Sequence, residues 1–189
     1  MFDTAFNAIE NHYCQLSNET KSEWMNFMEV LELKKGDQLI KPGQYSDKLY
    51  YILTGGIKAF YLKDGKSITD WFSFENCFVC SIPSFFTGTP SEHYIELLED
   101  STFLKTNQKD ILDLFEKHHD FERLGRIIST KTLLESQQRL ISLQFETAKQ
   151  KYLNLLQMHP NIEQRSSLGD IASYIGITLE TLSRIRSER

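Results

Sequence analysis

The spacing of apolar residues changes character along this chain. Between residues 30 and 106 they come in short runs: Val30-Leu31-Glu32-Leu33, Leu39-Ile40, Leu49-Tyr50-Tyr51-Ile52-Leu53, Ile57-Lys58-Ala59-Phe60-Tyr61-Leu62 and Ser67-Ile68-Thr69-Asp70-Trp71-Phe72. Turn residues punctuate them at Gly36-Asp37, Pro42-Gly43, Gly55-Gly56 and Asp64-Gly65. Short runs with glycine corners predict the strands of a small antiparallel barrel or roll, with most of its aromatic residues packed inward. Residues 6–27 and 107–145 carry the spacing of helices instead. In the second stretch Ile127, Leu134 and Ile141 recur every seven residues, with Leu124 and Phe145 at the other seam position, which predicts a dimer helix. Lys131 and Gln138 interrupt that second seam, so packing of this helix back onto the roll is the competing arrangement. A further helix over residues 147–158 ends at His159-Pro160 and is followed by a polar linker over residues 161–166.

The last stretch is the most informative. Leu168, Ile171, Ala172 and Ile175 put one apolar stripe on a short helix, opened by Ser167 and Asp170 at capping-box spacing. Gly176 stands where the chain must leave that helix and can take a positive φ, with Ile177 as an apolar plug behind the turn. Thr178 is placed to cap a second helix, in which Leu182 and Ile185 face inward. That leaves Thr178, Leu179, Glu180, Thr181, Ser183, Arg184 and Arg186 as candidate DNA-binding residues. Arginine can make a bidentate contact to guanine, glutamate can accept from cytosine, and hydroxyls can bind phosphates. An ordinary helical hairpin with solvated arginines is the alternative for this segment alone.

Composition narrows the classes. The 189 residues, 40% of them hydrophobic, suffice for one ordinary domain and a smaller second one. No run of eighteen apolar residues and no basic N-terminal region is present, so neither a membrane span nor a signal peptide is expected, and the cytoplasm follows by default. The net charge of −5 argues against a generic nucleic-acid coat. From Lys131 onward, however, eight Lys/Arg face six Asp/Glu, which leaves thirteen against twenty in the first 130 residues. Cys77-Phe78-Val79-Cys80 has metal-ligand spacing but lacks a second pair or a histidine at zinc spacing, so buried thiols are expected and no metal. The His118-His119 pair is a still weaker metal signal.

Two stretches carry a family resemblance that spans nearly the whole chain. Lys41-Pro42-Gly43-Gln44 through Leu49-Tyr50-Tyr51-Ile52-Leu53-Thr54-Gly55-Gly56-Ile57-Lys58 is similar to the glycine-punctuated strands of a cyclic-nucleotide-binding roll. Ile171-Ala172, Gly176-Ile177-Thr178 and Glu180-Thr181-Leu182-Ser183-Arg184-Ile185 resemble the recognition element of the Crp/Fnr family of bacterial transcription regulators. The resemblance implies an α+β fold: an N-terminal antiparallel β-roll of jelly-roll type with flanking helices, a long dimerisation helix and a C-terminal helix-turn-helix. The corresponding boundaries are a sensor domain over residues 1–118, a dimer helix over 119–145 with Leu124, Ile127, Leu134 and Ile141 at its interface, and a DNA-binding domain over 146–189. Implied partners are double-stranded DNA with a palindromic site, a second copy of the chain, and RNA polymerase. The sequence ends at Arg189 with or just after the recognition helix, so the β-wing usual in the family is not expected within it, either naturally or through truncation. Leu179 stands where the family commonly has a basic residue, and contact with a thymine methyl is expected instead.

The same resemblance marks a departure. Nucleotide-binding members hold the ribose with a glutamate and the cyclic phosphate with an arginine, whereas Ser81 and Ser91-Glu92 stand at those places here. Ser81, Ile82, Ser84, Ser91 and Glu92 are the candidate effector pocket. Without a cation, and with Glu92 beside the phosphate, cyclic AMP is not the expected ligand, and Pro83 is expected to disturb the helix that presents N–H groups to it. With only Cys14 ahead of the roll, the family's iron-sulfur cluster is not expected either. No cofactor is assigned. The competing function is a ligand-binding or protein-interaction module whose helix-turn-helix no longer reads DNA. An enzyme on a cupin-like roll needs converging His and Glu ligands, and the strand region offers only His93, so no catalytic residue is assigned.

Overall fold

The computed structural model describes residues 1–188. Two helices open the chain, α1 (Phe2–His12) and α2 (Asn18–Met25), where the sequence pattern predicts one helix over residues 6–27. The break is made by Ser17, which is extended and accepts the Thr20 N–H as an N-cap. Asp120, far along the chain, holds this corner by accepting the Ser17 N–H at 2.6 Å and the Thr20 hydroxyl at 2.7 Å.

The expected roll is the one that forms. Strands β1 (Glu29–Leu33), β2 (Gln38–Ile40), β3 (Lys48–Thr54), β4 (Ile57–Lys63), β5 (Lys66–Ser73) and β6 (Phe78–Val79) precede helix α3 (Ile82–Thr87). Strands β7 (Tyr94–Leu97) and β8 (Ser101–Asn107) complete it. All pairings are antiparallel, in two four-stranded sheets ordered β1-β8-β3-β6 and β2-β7-β4-β5. The β4–β5 hairpin closes on Asp64 and Gly65, both at positive φ (52° and 74°), as a two-residue turn that follows the strand twist. At the β3–β4 corner, Gly55 has φ +95°, and a Cβ there would lie 2.1 Å from the Ser101 Oγ, so only glycine lets β8 pass.

Strand alternation sends side chains to two separate cores. Ile40, Ile52, Ile57, Ile95, Leu97 and Phe103 fill the space between the sheets. On the other side of the first sheet, Tyr51 and Leu104 meet Phe6, Ile9 and Trp24 from the N-terminal helices. Helices α4 (Gln108–Lys117) and α5 (His119–Phe145) close this second core with Ile111, Leu114, Phe121 and Leu124. Leu124 is therefore corrected: it is 2% exposed inside the chain's own core and cannot face a partner. Of the other expected interface residues, Ile127 is half-buried, and Leu134 and Ile141 are exposed, as are Phe145, Leu133 and Leu140.

Helices α6 (Ala148–Met158), α7 (Ile162–Arg165), α8 (Leu168–Tyr174) and α9 (Leu179–Ser187) form the C-terminal unit around Tyr152, Leu155, Ile171, Ala172, Leu182 and Ile185. The expected linker over residues 161–166 is not a plain connector, because α7 lies within it and Ile162 is buried in this third core. Phe72, Phe74 and Leu98 of the roll belong to the same core.

Candidate functional site

Local chemistry builds the helix-turn-helix. The Ser167 hydroxyl accepts the Asp170 N–H at 3.0 Å and so caps α8. The box is not reciprocal, since the Asp170 carboxylate takes the Ser167 hydroxyl and Lys58 instead of the Ser167 N–H. Gly176 takes φ +70° and the Ile177 N–H returns to the Ala172 carbonyl at 3.0 Å, which closes α8 and turns the chain. Thr178 then caps α9 through the Thr181 N–H. Leu182 and Ile185 face the core.

Of the candidate DNA-binding residues, Thr178, Leu179, Glu180, Ser183, Arg184 and Arg186 are exposed on α9 and Thr181 is half-buried in its first turn. Two of them have other engagements. The Glu180 carboxyl is held below the ordinary carboxylate range by its own backbone N–H and then by the Thr178 hydroxyl, so it stabilises the start of its own helix. Arg186 pairs through Nε with Glu163 of α7 at 2.6 Å. Arg184 has no ion pair among the described residues.

The five candidate effector residues divide by exposure. Ile82 and Glu92 turn outward to solvent, while Ser81, Ser84 and Ser91 are buried. Glu92 is exposed while its neighbour Ser91 is 2% exposed. Ser84 accepts the Ser46 N–H at 2.7 Å and Ser91 donates to the His93 carbonyl at 3.1 Å, so both hydroxyls are already used within the roll. Ser81 Oγ is fully buried without a partner among the described residues. Pro83 does not break α3, because it sits in the first turn where its missing N–H has no helical acceptor.

Cys77 and Cys80 are three apart on an extended segment and so fall on opposite faces, Cys77 against the core between the sheets and Cys80 against the helical core. They cannot share a ligand. Burial pushes both thiols up, that of Cys80 to about 12. His118 Nε2 lies 2.8 Å from Glu23, and among the described residues no group of three or more metal-ligating side chains occurs.

The sequence reading misses a second set of functional residues, those that seat the C-terminal unit on the roll. Lys58 of β4 lies 2.9 Å from Asp170 and 3.3 Å from Glu96. Arg139 of α5 donates to Asp70, to the Thr69 carbonyl and to the Tyr174 carbonyl, each at 3.3 Å, with its guanidinium over the Tyr174 ring. Arg165 of α7 donates to both oxygens of Glu75 and to Glu99, with its guanidinium 4.2 Å from the centre of the Phe74 ring. Burial pushes the Glu75 carboxyl up, but the Arg165 hydrogen bond and N–H groups of Glu75 and Gly55 outweigh it and leave it below its ordinary range. The hydrogen-bonded pairs are 35 to 112 residues apart in sequence, so no local pattern announces them.

Residues 30–118 match the cyclic nucleotide-binding domain family. FixK2 from Bradyrhizobium japonicum superposes with a TM-score of 0.73 at 17% identity, over 85% of this chain and 83% of that one. The c-di-GMP responsive global regulator CLP from Xanthomonas campestris gives 0.71 at 15% identity, over 91% of each chain. A Crp/Fnr family protein from Eubacterium rectale gives 0.70 at 15% identity, over 90% of this chain and 82% of that one. The chain has the Crp/Fnr fold. No curated protein matches it by sequence. Within the Crp/Fnr fold the domain match ends at residue 118, so α5 and the helix-turn-helix rest on structural likeness and on the geometry above. No helix among the described residues is long and apolar enough to cross a membrane.

Proposed function

We propose that this chain is a homodimeric, sequence-specific DNA-binding transcription regulator of the cytoplasm, with a roll that does not take a cyclic nucleotide. The observation that carries the reading is the capped, glycine-turned α8–α9 pair, which buries Leu182 and Ile185 and presents Ser183 and Arg184 outward. A two-fold dimer places two such helices on half-sites about one helical turn apart, which requires a palindromic site. Selection of bound sequences from random duplex DNA tests this, and the recovered motif should be palindromic. On the selected duplex, Arg184→Ala is expected to cost about 1–3 kcal/mol, the usual value of one bidentate base contact. Anisotropy titrations on selected and random duplexes separate the roles, because equal loss on both would assign Arg184 to phosphate.

What supports the second half is the interior of the roll. A cyclic nucleotide needs a cation for its phosphate and an acceptor for its ribose, and the positions that supply them in nucleotide-binding relatives are Ser91, 2% exposed and bonded internally, and Ser81. Desolvating an anionic phosphate without a paired charge costs several kcal/mol. Calorimetric titration with cyclic AMP and cyclic GMP is expected to show no saturable binding. A micromolar isotherm with either nucleotide would overturn this part of the reading.

A further inference from the structure

Glu75 and Glu99 approach each other beside the Gly55-Gly56 corner. A Cβ on Gly56 would lie 2.5 Å from the Phe74 ring and 3.1 Å from the Glu99 carboxylate, so the corner has room for these groups only because it carries no side chain. Glu75 is further fixed by the Gly55 N–H, which donates to it at 2.9 Å. Two carboxylates and an aromatic face held this way form a socket shaped for a planar cation, and Arg165 of the C-terminal unit fills it. Lys58 to Asp170 and Arg139 to Asp70 and Tyr174 hold the same unit at two other points. Between them, the Thr69 N–H donates to the Ser173 hydroxyl at 2.9 Å across the boundary.

We infer that the Glu75–Glu99–Phe74 socket and its Arg165 plug are an autoinhibitory latch, which docks the helix-turn-helix unit on its own roll in a pose that binds DNA weakly. The charge balance sets the sense. Asp70, Glu75, Glu96, Glu99 and Asp170 meet only Lys58, Arg139 and Arg165 in this boundary, leaving an acidic seam beside the reading unit and using up cations that phosphate would otherwise attract. Opening moves the acidic roll away and frees Arg165. The ring contacts of Phe72 with Tyr174 and of Phe74 with His159 do not depend on the carboxylates, so removing the ion pairs shifts the population of the open form without abolishing the docked one. The inhibitory sense rests on the DNA-binding reading above, whereas the latch itself does not.

The test is Glu75→Gln combined with Glu99→Gln in the full chain. Glutamine keeps an oxygen for the Gly55 N–H but removes both charges. Hydrogen exchange at the Thr69 amide should accelerate at least about tenfold, while the Ile52 and Phe103 amides inside the roll stay protected and report that it is folded. Affinity for the selected duplex should rise, with the slope of log affinity against log salt steepening by about one as Arg165 becomes available. Arg165→Gln should accelerate Thr69 exchange equally without that steeper slope. Unchanged Thr69 exchange in the double variant overturns the latch. Faster exchange with unchanged or weaker DNA binding overturns its inhibitory sense. Faster exchange with no duplex bound by either protein leaves the latch standing and removes the DNA-binding reading instead.

Discussion

Charge at Leu134 and Ile141 is expected to yield a monomer that no longer binds duplex DNA. Both side chains are exposed on the free part of α5, flanked by exposed Leu133, Leu140 and Phe145. Among the described residues nothing in the chain's own fold covers this stripe, and burial of apolar surface returns about 25 cal/mol per Å² when a second helix does so. Leu134→Glu with Ile141→Glu would place four like charges in one two-fold interface, and neither carboxylate would have a partner there. Loss of one reading head removes half of the base contacts, so DNA binding should fall by orders of magnitude. Sedimentation of the double variant checks the first step, and a shift assay on the selected duplex checks the second. A variant that still sediments as a dimer would move the interface elsewhere. Because the stripe points away from the core, the variant's melting temperature at low protein concentration should stay near that of the dissociated wild type.

Trp24→Ala is expected to cost about 3–5 kcal/mol of folding stability, in the range of buried aromatic truncations. Trp24 is 2% exposed and meets Phe6, Phe78 and Phe121 at ring-centre distances of 5.7, 6.2 and 4.8 Å. Its indole N–H donates to the Thr106 hydroxyl at 3.1 Å, so truncation also orphans a buried polar group. The residue ties α2 to the roll and to the anchored end of α5, and the loss should appear as a lower urea midpoint. Trp24→Phe separates the two contributions: it keeps most of the ring packing and loses only the hydrogen bond, so it should be the milder variant. Equal losses would assign the cost to Thr106 and not to packing.

What could be read in the sequence is what local residues decide. The strands and the Asp64-Gly65 turn follow from alternation and from positive φ, and the α8–α9 turn follows from Ser167, Gly176 and Thr178 acting on their near neighbours. The failures are decided from a distance. The break between α1 and α2 is held by Asp120, 103 residues away from Ser17. Leu124 has the spacing of a dimer seam, but that periodicity is shared by any amphipathic face, and the docking of α5 through Phe121 on Trp24 and Phe115 chooses the core. For the effector residues, correspondence with a family pattern names positions but not burial, and Ile82 and Glu92 are exposed while Ser81 and Ser91 are buried. The pairing of Arg186 with Glu163 of α7 is likewise set by the packing of two helices and not by any local pattern. The Arg165 socket is out of reach of any local pattern because its carboxylates lie 66 and 90 residues from the arginine they hold.

Among the described residues, helix α5 buries side chains only near its beginning, and farther along it Arg139 ties it to Asp70 of the roll. Phe121 and Leu124 are buried, and a Cβ on Gly125 would lie 2.6 Å from the Phe115 ring, so α4 and α5 touch there with no slack. Beyond that point the helix runs on toward Phe145, whose side chain is exposed. It is a lever with its fulcrum in the second core. From Phe121 to Phe145 the arm is about 36 Å at 1.5 Å per residue, so a tilt of about five degrees at the fulcrum carries the far end through about 3 Å. A hydrogen bond to a base edge does not survive a displacement of that size. In the proposed regulator, once Arg139 releases Asp70, a rearrangement around Trp24 and Phe115 too small to disturb the roll would be amplified, at the reading end, into the difference between touching a base and missing it.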